Sequence, residues 1–261
     1  MKAIKSFFIA FSMYSKIPVP QFPWEEEDMK YIFCFFPWVG AVVGGCVYFW
    51  DGFCGRTGVG ELCRAAVGAA VPLIITGGIH LDGFMDTMDA LHSYSPRERK
   101  LEILKDSHIG AFAVIMLVAY GAVFFGAFSE LKGVLLQIMC GGFFLSRCLC
   151  GISVVSFPLA KKDGMLFQFA DSSQKNIVKG SLYLQGMACV GWMLWLSVPA
   201  GLSVSAAAVL VLVYYYYRSK KEFGGVSGDT SGYFVVLCEG CMAVAAAVAQ
   251  IGLHWQNSPW N

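Results

Sequence analysis

Long apolar runs alternate with short polar interruptions along the whole chain. A first, short apolar stretch at Met1–Tyr14 carries Lys2 and Lys5 and is broken by Ile17-Pro18-Val19-Pro20. About seven longer segments follow: Tyr31–Trp50, Leu62–Gly78, Ile109–Phe128, Gly133–Phe157, Leu182–Val198, Leu202–Tyr217 and Gly232–His254. A helix needs about 20 apolar residues to cross a hydrocarbon core, and only helices or closed barrels satisfy their backbone there. The pattern therefore predicts an all-α, polytopic membrane helical bundle. The fifth and sixth segments are short and separated only by Pro199-Ala200-Gly201, which predicts a tight helical hairpin or one bent segment. The N-terminal stretch has no small-residue cleavage site after it and reads as a retained interfacial or re-entrant helix.

Composition strengthens this reading. Of 261 residues, 57% are hydrophobic and 14% charged, and the mean hydropathy is +0.60, well outside soluble globular usage. No polar stretch is long enough to form a soluble core, so residues 1–261 are expected to make a single lipid-embedded domain. A net charge of +1 favours no polyanion, and no nucleic acid partner is expected; a homo-oligomer is left open.

The placement of the charges says more than their sum. With the N-terminus inside, the inner segments hold Lys16, Lys30, Arg97, Arg99, Lys100, Lys105, Lys161, Lys162, Lys175, Lys179, Arg218, Lys220 and Lys221, whereas the outer loops hold only Arg56, Arg64 and Lys132. Loops rich in Lys and Arg stay cytoplasmic. Ser95-Pro96-Arg97-Glu98 reads as an N-cap, a proline in the first helical position and a capping-box glutamate, opening a charged helix that runs to about Asp106. The stretch from Lys161 to Lys179 reads as a polar connector on the membrane surface. Most of the ten cysteines sit in apolar runs as small hydrophobes; Cys54 and Cys63 share one short loop, and their pairing is left open.

The candidate chemistry is concentrated in Gly77-Gly78-Ile79-His80-Leu81-Asp82-Gly83-Phe84-Met85-Asp86-Thr87-Met88-Asp89. From Asp82 the other aspartates fall at i+4 and i+7, within roughly 60° of one another on a helix. Three like charges on one stripe beside an apolar segment repel unless a cation sits among them. Mg²⁺, which takes oxygen ligands and often shares its shell with substrate phosphates, fits Asp82, Asp86 and Asp89. His80, on the opposite side of an ideal helix, is a candidate for substrate contact. A second candidate is Gly224-Gly225-Val226-Ser227-Gly228-Asp229, where Gly225, Ser227 and Gly228 suit a turn that cradles an anion and Asp229 opens a helix beside Arg218, Lys220 and Lys221. Glu239 lies deeper in the last apolar segment, and Arg147 with Lys161 and Lys162 is a further candidate for phosphate contact.

At these residues the sequence resembles the cobalamin 5′-phosphate synthase family, the adenosylcobinamide-GDP ribazoletransferases. The resemblance runs nearly end to end, through Lys16-Ile17-Pro18-Val19-Pro20, Phe36-Pro37-Trp38-Val39-Gly40, the histidine-aspartate-glycine stretch with Asp86-Thr87 and Asp89, Lys105-Asp106-Ser107 with Gly110, and Gly225-Val226-Ser227-Gly228-Asp229. It departs from the family pattern at Phe84-Met85, Ala90, Ala113 and Lys161. The resemblance implies a Mg²⁺-dependent enzyme of the bacterial inner membrane with its active site on the cytoplasmic side. Its substrates would be adenosylcobinamide-GDP and α-ribazole or its 5′-phosphate, with GMP displaced. On that reading Asp82, Asp86 and Asp89 hold the metal at the diphosphate, Asp106 is a further substrate-binding candidate, and Asp89 or Asp229 accepts the attacking hydroxyl's proton.

Two other readings use the same carboxylates. A CDP-alcohol phosphotransferase carries alanine-arginine after its first aspartate-glycine pair and a fourth aspartate four residues past the third; here Phe84-Met85 and Ser93 stand in those places. A cation-coupled transporter is expected to show paired halves, and the chain has a single aspartate-rich stretch of this type.

Overall fold

The computed structural model describes residues 2–23, 25–161 and 164–256, and these are helical apart from loops and one isolated bridge between Leu159 and Val226. In chain order the helices are α1 (Lys2–Tyr14), α2 (Glu26–Met29), α3 (Ile32–Thr57), α4 (Glu61–Thr76), α5 (Ile79–His92), α6 (Arg97–Ile103), α7 (Ala111–Glu130), α8 (Gly133–Ser156), α9 (Met165–Ser172), α10 (Lys175–Leu196), α11 (Val198–Phe223) and α12 (Gly228–Gln256).

Among the described residues, α3, α7, α8, α11 and α12 are each long and apolar enough to cross a membrane, and α4 with α5 passes as a pair bent by 93°, giving up to 6 spans. The polytopic bundle is as expected, with fewer qualifying spans than the sequence pattern suggests. The difference lies partly in α10, whose first turns carry Lys175, Asn176 and Lys179 and dilute its apolar run. The hairpin expected at Pro199 is present, but its break falls at Ser197. Pro199 lies in the first turn of α11, where a missing N–H is harmless, and a Cβ on Gly201 would come within 2.8 Å of the Met193 carbonyl carbon.

Helix α8 is the centre of the bundle, buried over 89% of its most apolar window. Gly40 and Gly44 of α3 leave no room for a Cβ against the carbonyls of Phe143 and Cys140, the close small-residue approach that drives helix association in lipid. Arg147 of α8 is buried. Its Nη1 donates to Glu239 Oε1 at 2.5 Å and to the Phe143 carbonyl at 2.7 Å. Glu239 is thus the internal partner of Arg147, and both border a cavity of about 290 Å³ with His80 and Tyr120; Lys162 lies outside the described residues.

The charged residues assort to two ends. At one, Arg64 donates to Asp51 (3.0 Å), Glu61 (3.0 Å) and the carbonyls of Leu131 and Ser129, while Lys132 pairs with Glu61. These are residues assigned to outer loops and their flanks. At the other, Lys100 pairs with Glu222, Arg97 lies over Gly224, and the Lys16 stem packs on Gly77. These belong to segments assigned as inner.

Two local expectations change. Pro96, extended at ψ 161°, is the N-cap of α6 and has no polar side-chain atom to cap with, while the Ser95 hydroxyl, expected as the cap, donates to the Ser93 carbonyl; the helix stops at Ile103. The Lys161–Lys179 stretch is more than a surface connector. It contains α9, whose Phe169 and Ala170 are buried against residues of α1, α3, α8 and α10. All ten cysteines are free, Cys54 and Cys63 included.

Candidate active site

Helix α5 carries the aspartates as the spacing predicts. It is launched by Gly77 and Gly78, both left-handed at φ 64° and 82°, a conformation that costs other residues roughly 1–2 kcal/mol. This pair makes the bend that turns α5 off the axis of α4. The position of the stripe is then set by glycines on two helices. A Cβ on Gly83 would lie 2.6 Å from the Asp229 carbonyl oxygen and 2.9 Å from its Cα, and one on Gly232 would lie 2.9 Å from the His80 carbonyl oxygen. Helices α5 and α12 cross at backbone contact, so Asp229 is seated beside the stripe. The carboxylate of Asp86 feels the charges of Asp82, Asp229 and Asp89, and Asp229 feels those of Lys161 and Asp82.

Asp82 is exposed, and Asp86, Asp89 and Asp229 are half-buried. Asp89 has another task. Its Oδ2 accepts from the Gly110 N–H at 2.5 Å and its Oδ1 from the Ala113 N–H at 3.0 Å, so it caps the start of α7 from a neighbouring helix. Gly110 itself has no space for a side chain against that carboxylate. Asp106 is exposed and bonded to its neighbour His108, through Nδ1 at 2.6 Å and the backbone N–H at 3.0 Å. Those hydrogen bonds hold its carboxyl below the usual range. It shares a groove with Asp89 and His92, rather than joining Asp82 and Asp229.

The glycine loop is pinned rather than open. Val226 N–H donates to the Pro158 carbonyl (2.8 Å) and Ala160 N–H to the Val226 carbonyl (2.9 Å), and Gly225 is packed against Pro158 and Leu159 with no space for a side chain. Ser227 caps α12: its N–H donates to Thr230 Oγ1 at 2.8 Å and its Oγ accepts from the Thr230 N–H at 3.2 Å. Gly228 has open space around it. The basic residues of α11 face elsewhere, since Arg218 pairs with Glu222 at 3.1 Å and Lys220 lies over the Tyr216 ring.

Two cavities meet at Asp229. One, of about 190 Å³, is lined by Tyr14, Phe33, Phe36, His80, Asp82, Phe169 and Asp229 among others. The second, of about 360 Å³, is lined by Lys105, Lys161, Ser227, Gly228 and Asp229. Met165, Leu166, Gly228 and Asp229 border both. His80 and Asp82, expected on opposite faces, line the same cavity. Sequence reasoning missed Gly232, the wall made by α9, and Lys105 as a partner of the glycine loop. Gly228 and Gly232 do stand four apart, the small-residue spacing that marks a close helix contact.

A hard cation calls for oxygen donors, and Asp82, Asp86 and Asp229 supply them. Among the described residues no three such side chains converge closely enough to hold a metal ion by themselves. Mg²⁺ is usually held by one or two carboxylates with substrate phosphates completing the shell, so the donor set fits a cation that binds together with a phosphorylated substrate.

A family model described as cobalamin-5-phosphate synthase matches residues 6–247. An adenosylcobinamide-GDP ribazoletransferase of Lachnoclostridium phytofermentans is 39% identical over 260 residues, covering 100% of both chains. One from Clostridium perfringens is 32% identical over 239 residues, covering 90% of this chain and 94% of its own, and one from Desulfitobacterium hafniense is 31% identical over 249 residues, covering 92% and 95%. No solved structure matches the chain. With a family match that spans the α5 aspartates and the Asp229 loop, and a relative aligned from end to end, the chain belongs to the cobalamin-5-phosphate synthase family.

Proposed function

We propose that this protein is an adenosylcobinamide-GDP ribazoletransferase: a ribose hydroxyl that is free in both α-ribazole and its 5′-phosphate, and so is not the 5′-hydroxyl, attacks the corrinoid-side phosphorus of adenosylcobinamide-GDP. The new oxygen–phosphorus bond forms as the bridging bond to GMP breaks, the hydroxyl proton passes to a carboxylate, and GMP leaves as a phosphate monoester. The observation that carries this reading is the α5–α12 crossing, which sets Asp229 beside Asp82 and Asp86, at the junction of an aromatic cavity and a basic one.

Asp82 and Asp86 are the residues proposed to hold Mg²⁺, which would supply charge neutralisation for the transferred phosphoryl group and the departing GMP. Lys161 and Lys105 add positive charge in the basic cavity, at the start of α12, where the helix dipole also favours an anion. Asp229 borders both cavities, which supports it as the residue that accepts the hydroxyl proton. Asp89 holds α7 against α5 and acts by positioning.

The site is assigned to the cytoplasmic face. Supporting this are the Lys and Arg alternation in sequence and the separation of inner and outer charged residues into two groups of contacts. The test is purified protein in lipid with adenosylcobinamide-GDP, α-ribazole and Mg²⁺, scored for GMP. GMP release that needs all three is expected. Absence of GMP with either α-ribazole or its 5′-phosphate would remove the assignment.

A further inference from the structure

We propose that the cavity bordered by Arg147 and Glu239 is a binding site for a neutral, lipid-soluble molecule that presents a carbonyl oxygen. It stands apart from the transfer site and does not depend on the transferase reading. The cavity holds about 290 Å³ between α4, α7, α8 and α12, close to the lower limit of the roughly 300–1,000 Å³ of small-molecule sites, and a corrin ring is excluded by size. Among the described residues it shares only His80 with the aromatic cavity. Its lining includes Ala66, Leu73 and Gly121, all exposed. Helix α7 is buried over only 17% of its most apolar window, so the mouth between α4 and α7 opens onto lipid. Glu239 lies about 16 Å along the α12 axis from Gly228, near the middle of a hydrocarbon core of about 30 Å. A ligand therefore reaches it from the bilayer interior.

The wall chemistry narrows the class. Most of the lining is apolar, with aromatic surface from Tyr120, Phe124 and Phe125. Arg147 is 1% exposed, and its guanidinium bonds to Glu239, Ser146 and the Phe143 carbonyl all run from Nη1. Among the described residues its Nε–H has no partner, and neither has Nε2 of His80. A buried donor without an acceptor is costly, and a ligand oxygen that accepts from it removes that cost. Arg147 and Glu239 already neutralise each other. An anion would meet the Glu239 carboxylate and shed its hydration on the way through lipid, whereas a neutral acceptor escapes both penalties. A hydrogen bond to a charged donor strengthens binding roughly tenfold or more, so a ketone should be preferred over its hydrocarbon analogue by that factor.

The probes are benzophenone, a photoreactive ketone, and diphenylmethane, the same body without the oxygen. With detergent-purified protein, benzophenone should raise Tm saturably, at concentrations about tenfold or more below those diphenylmethane requires. Irradiation should attach benzophenone to cavity-lining residues of α4 or α7, mapped by peptide mass spectrometry. Ala69→Phe, which fills the cavity from α4, should abolish the shift and the label, and the milder Ala69→Leu should weaken them while keeping the fold. Ala188→Phe, in a separate cavity lined by Trp38, Gln185 and Trp192, should leave both intact. Arg147→Met with Glu239→Leu should erase the preference for the ketone. No saturable shift, equal response to the two probes in the wild-type protein, or label absent from the α4 and α7 lining would each overturn the proposal. So would a shift that persists in Ala69→Phe, or a ketone preference that survives the paired Arg147 and Glu239 change. The wild-type labelling map decides the matter even where a variant fails to fold.

Discussion

Replacing Gly83 with alanine isolates what the helix crossing contributes. The added Cβ would meet Asp229 backbone atoms at 2.6, 2.9 and 3.1 Å. Backbone cannot swing aside as a side chain can, so α5 and the start of α12 must move apart. Overpacking of this kind costs about 1–3 kcal/mol, while exchanging glycine for alanine inside a helix returns about 0.8–1.0 kcal/mol. The net loss of stability should be about 0–2 kcal/mol, small enough for a folded protein. Turnover responds differently, because Asp229 and the Asp82–Asp86 pair ride on the two helices being separated, and a displacement of about 1 Å can cost about 10²-fold in rate. Gly83→Ala should therefore keep a near-normal unfolding temperature while GMP release falls about 10²-fold. Gly55→Ala is the control, since no atom lies within 4 Å of its Cβ position; it should be neutral or slightly stabilising. Wild-type turnover in Gly83→Ala would refute the claim that this contact positions the carboxylates.

Asp82→Asn keeps shape and removes charge; GMP release should fall by about 10² to 10³, as for loss of one transition-state electrostatic contact, and a near-normal rate with unchanged Mg²⁺ dependence would make the stripe structural. Asp89→Ala should lower stability by about 0.5–2 kcal/mol through its two lost cap bonds, without changing the Mg²⁺ concentration for half-maximal rate; a tenfold rise in that concentration would place Asp89 among the ligands. Glu239→Gln leaves the Arg147 charge buried and should cost about 3–5 kcal/mol, whereas Arg147→Met with Glu239→Leu should recover most of it; equal losses in thermal unfolding would contradict this. A reporter active only in the cytoplasm, fused after residue 92, should be active, and silence would invert the assigned orientation.

What could be read from sequence, and what could not, divides by range of interaction. The spans and the aspartate stripe are local: hydropathy over a window and the 3.6-residue period determine them, so α3, α7, α8, α12 and the face of α5 are found where the sequence puts them. Pairings across the chain leave weaker traces. Arg147 and Glu239 each look functional alone because a charge in an apolar segment is costly; only the fold reveals that each is the other's partner. The same holds for Lys105, distant in sequence from Asp229 but lining the same cavity. Helix α9 leaves little trace in the sequence because the lysines around it set the apparent character of its segment, while Phe167 and Phe169 lie in a run too short to register as a span.

The glycines explain why the aspartate spacing was legible as chemistry without revealing its fourth member. Asp82, Asp86 and Asp89 belong to one helix, and periodicity alone groups them. Asp229 joins them through a crossing in which Gly83 admits the α12 backbone and Gly232 admits that of α5. Each glycine is unremarkable in its own helix, and each acquires meaning from the other. The crossing also separates two roles within one stripe: Asp82 and Asp86 stay beside Asp229, whereas Asp89, a turn further on, reaches the first amides of α7. A stripe of three equivalent carboxylates in sequence thus becomes two that face the reaction and one that fixes the helix behind it.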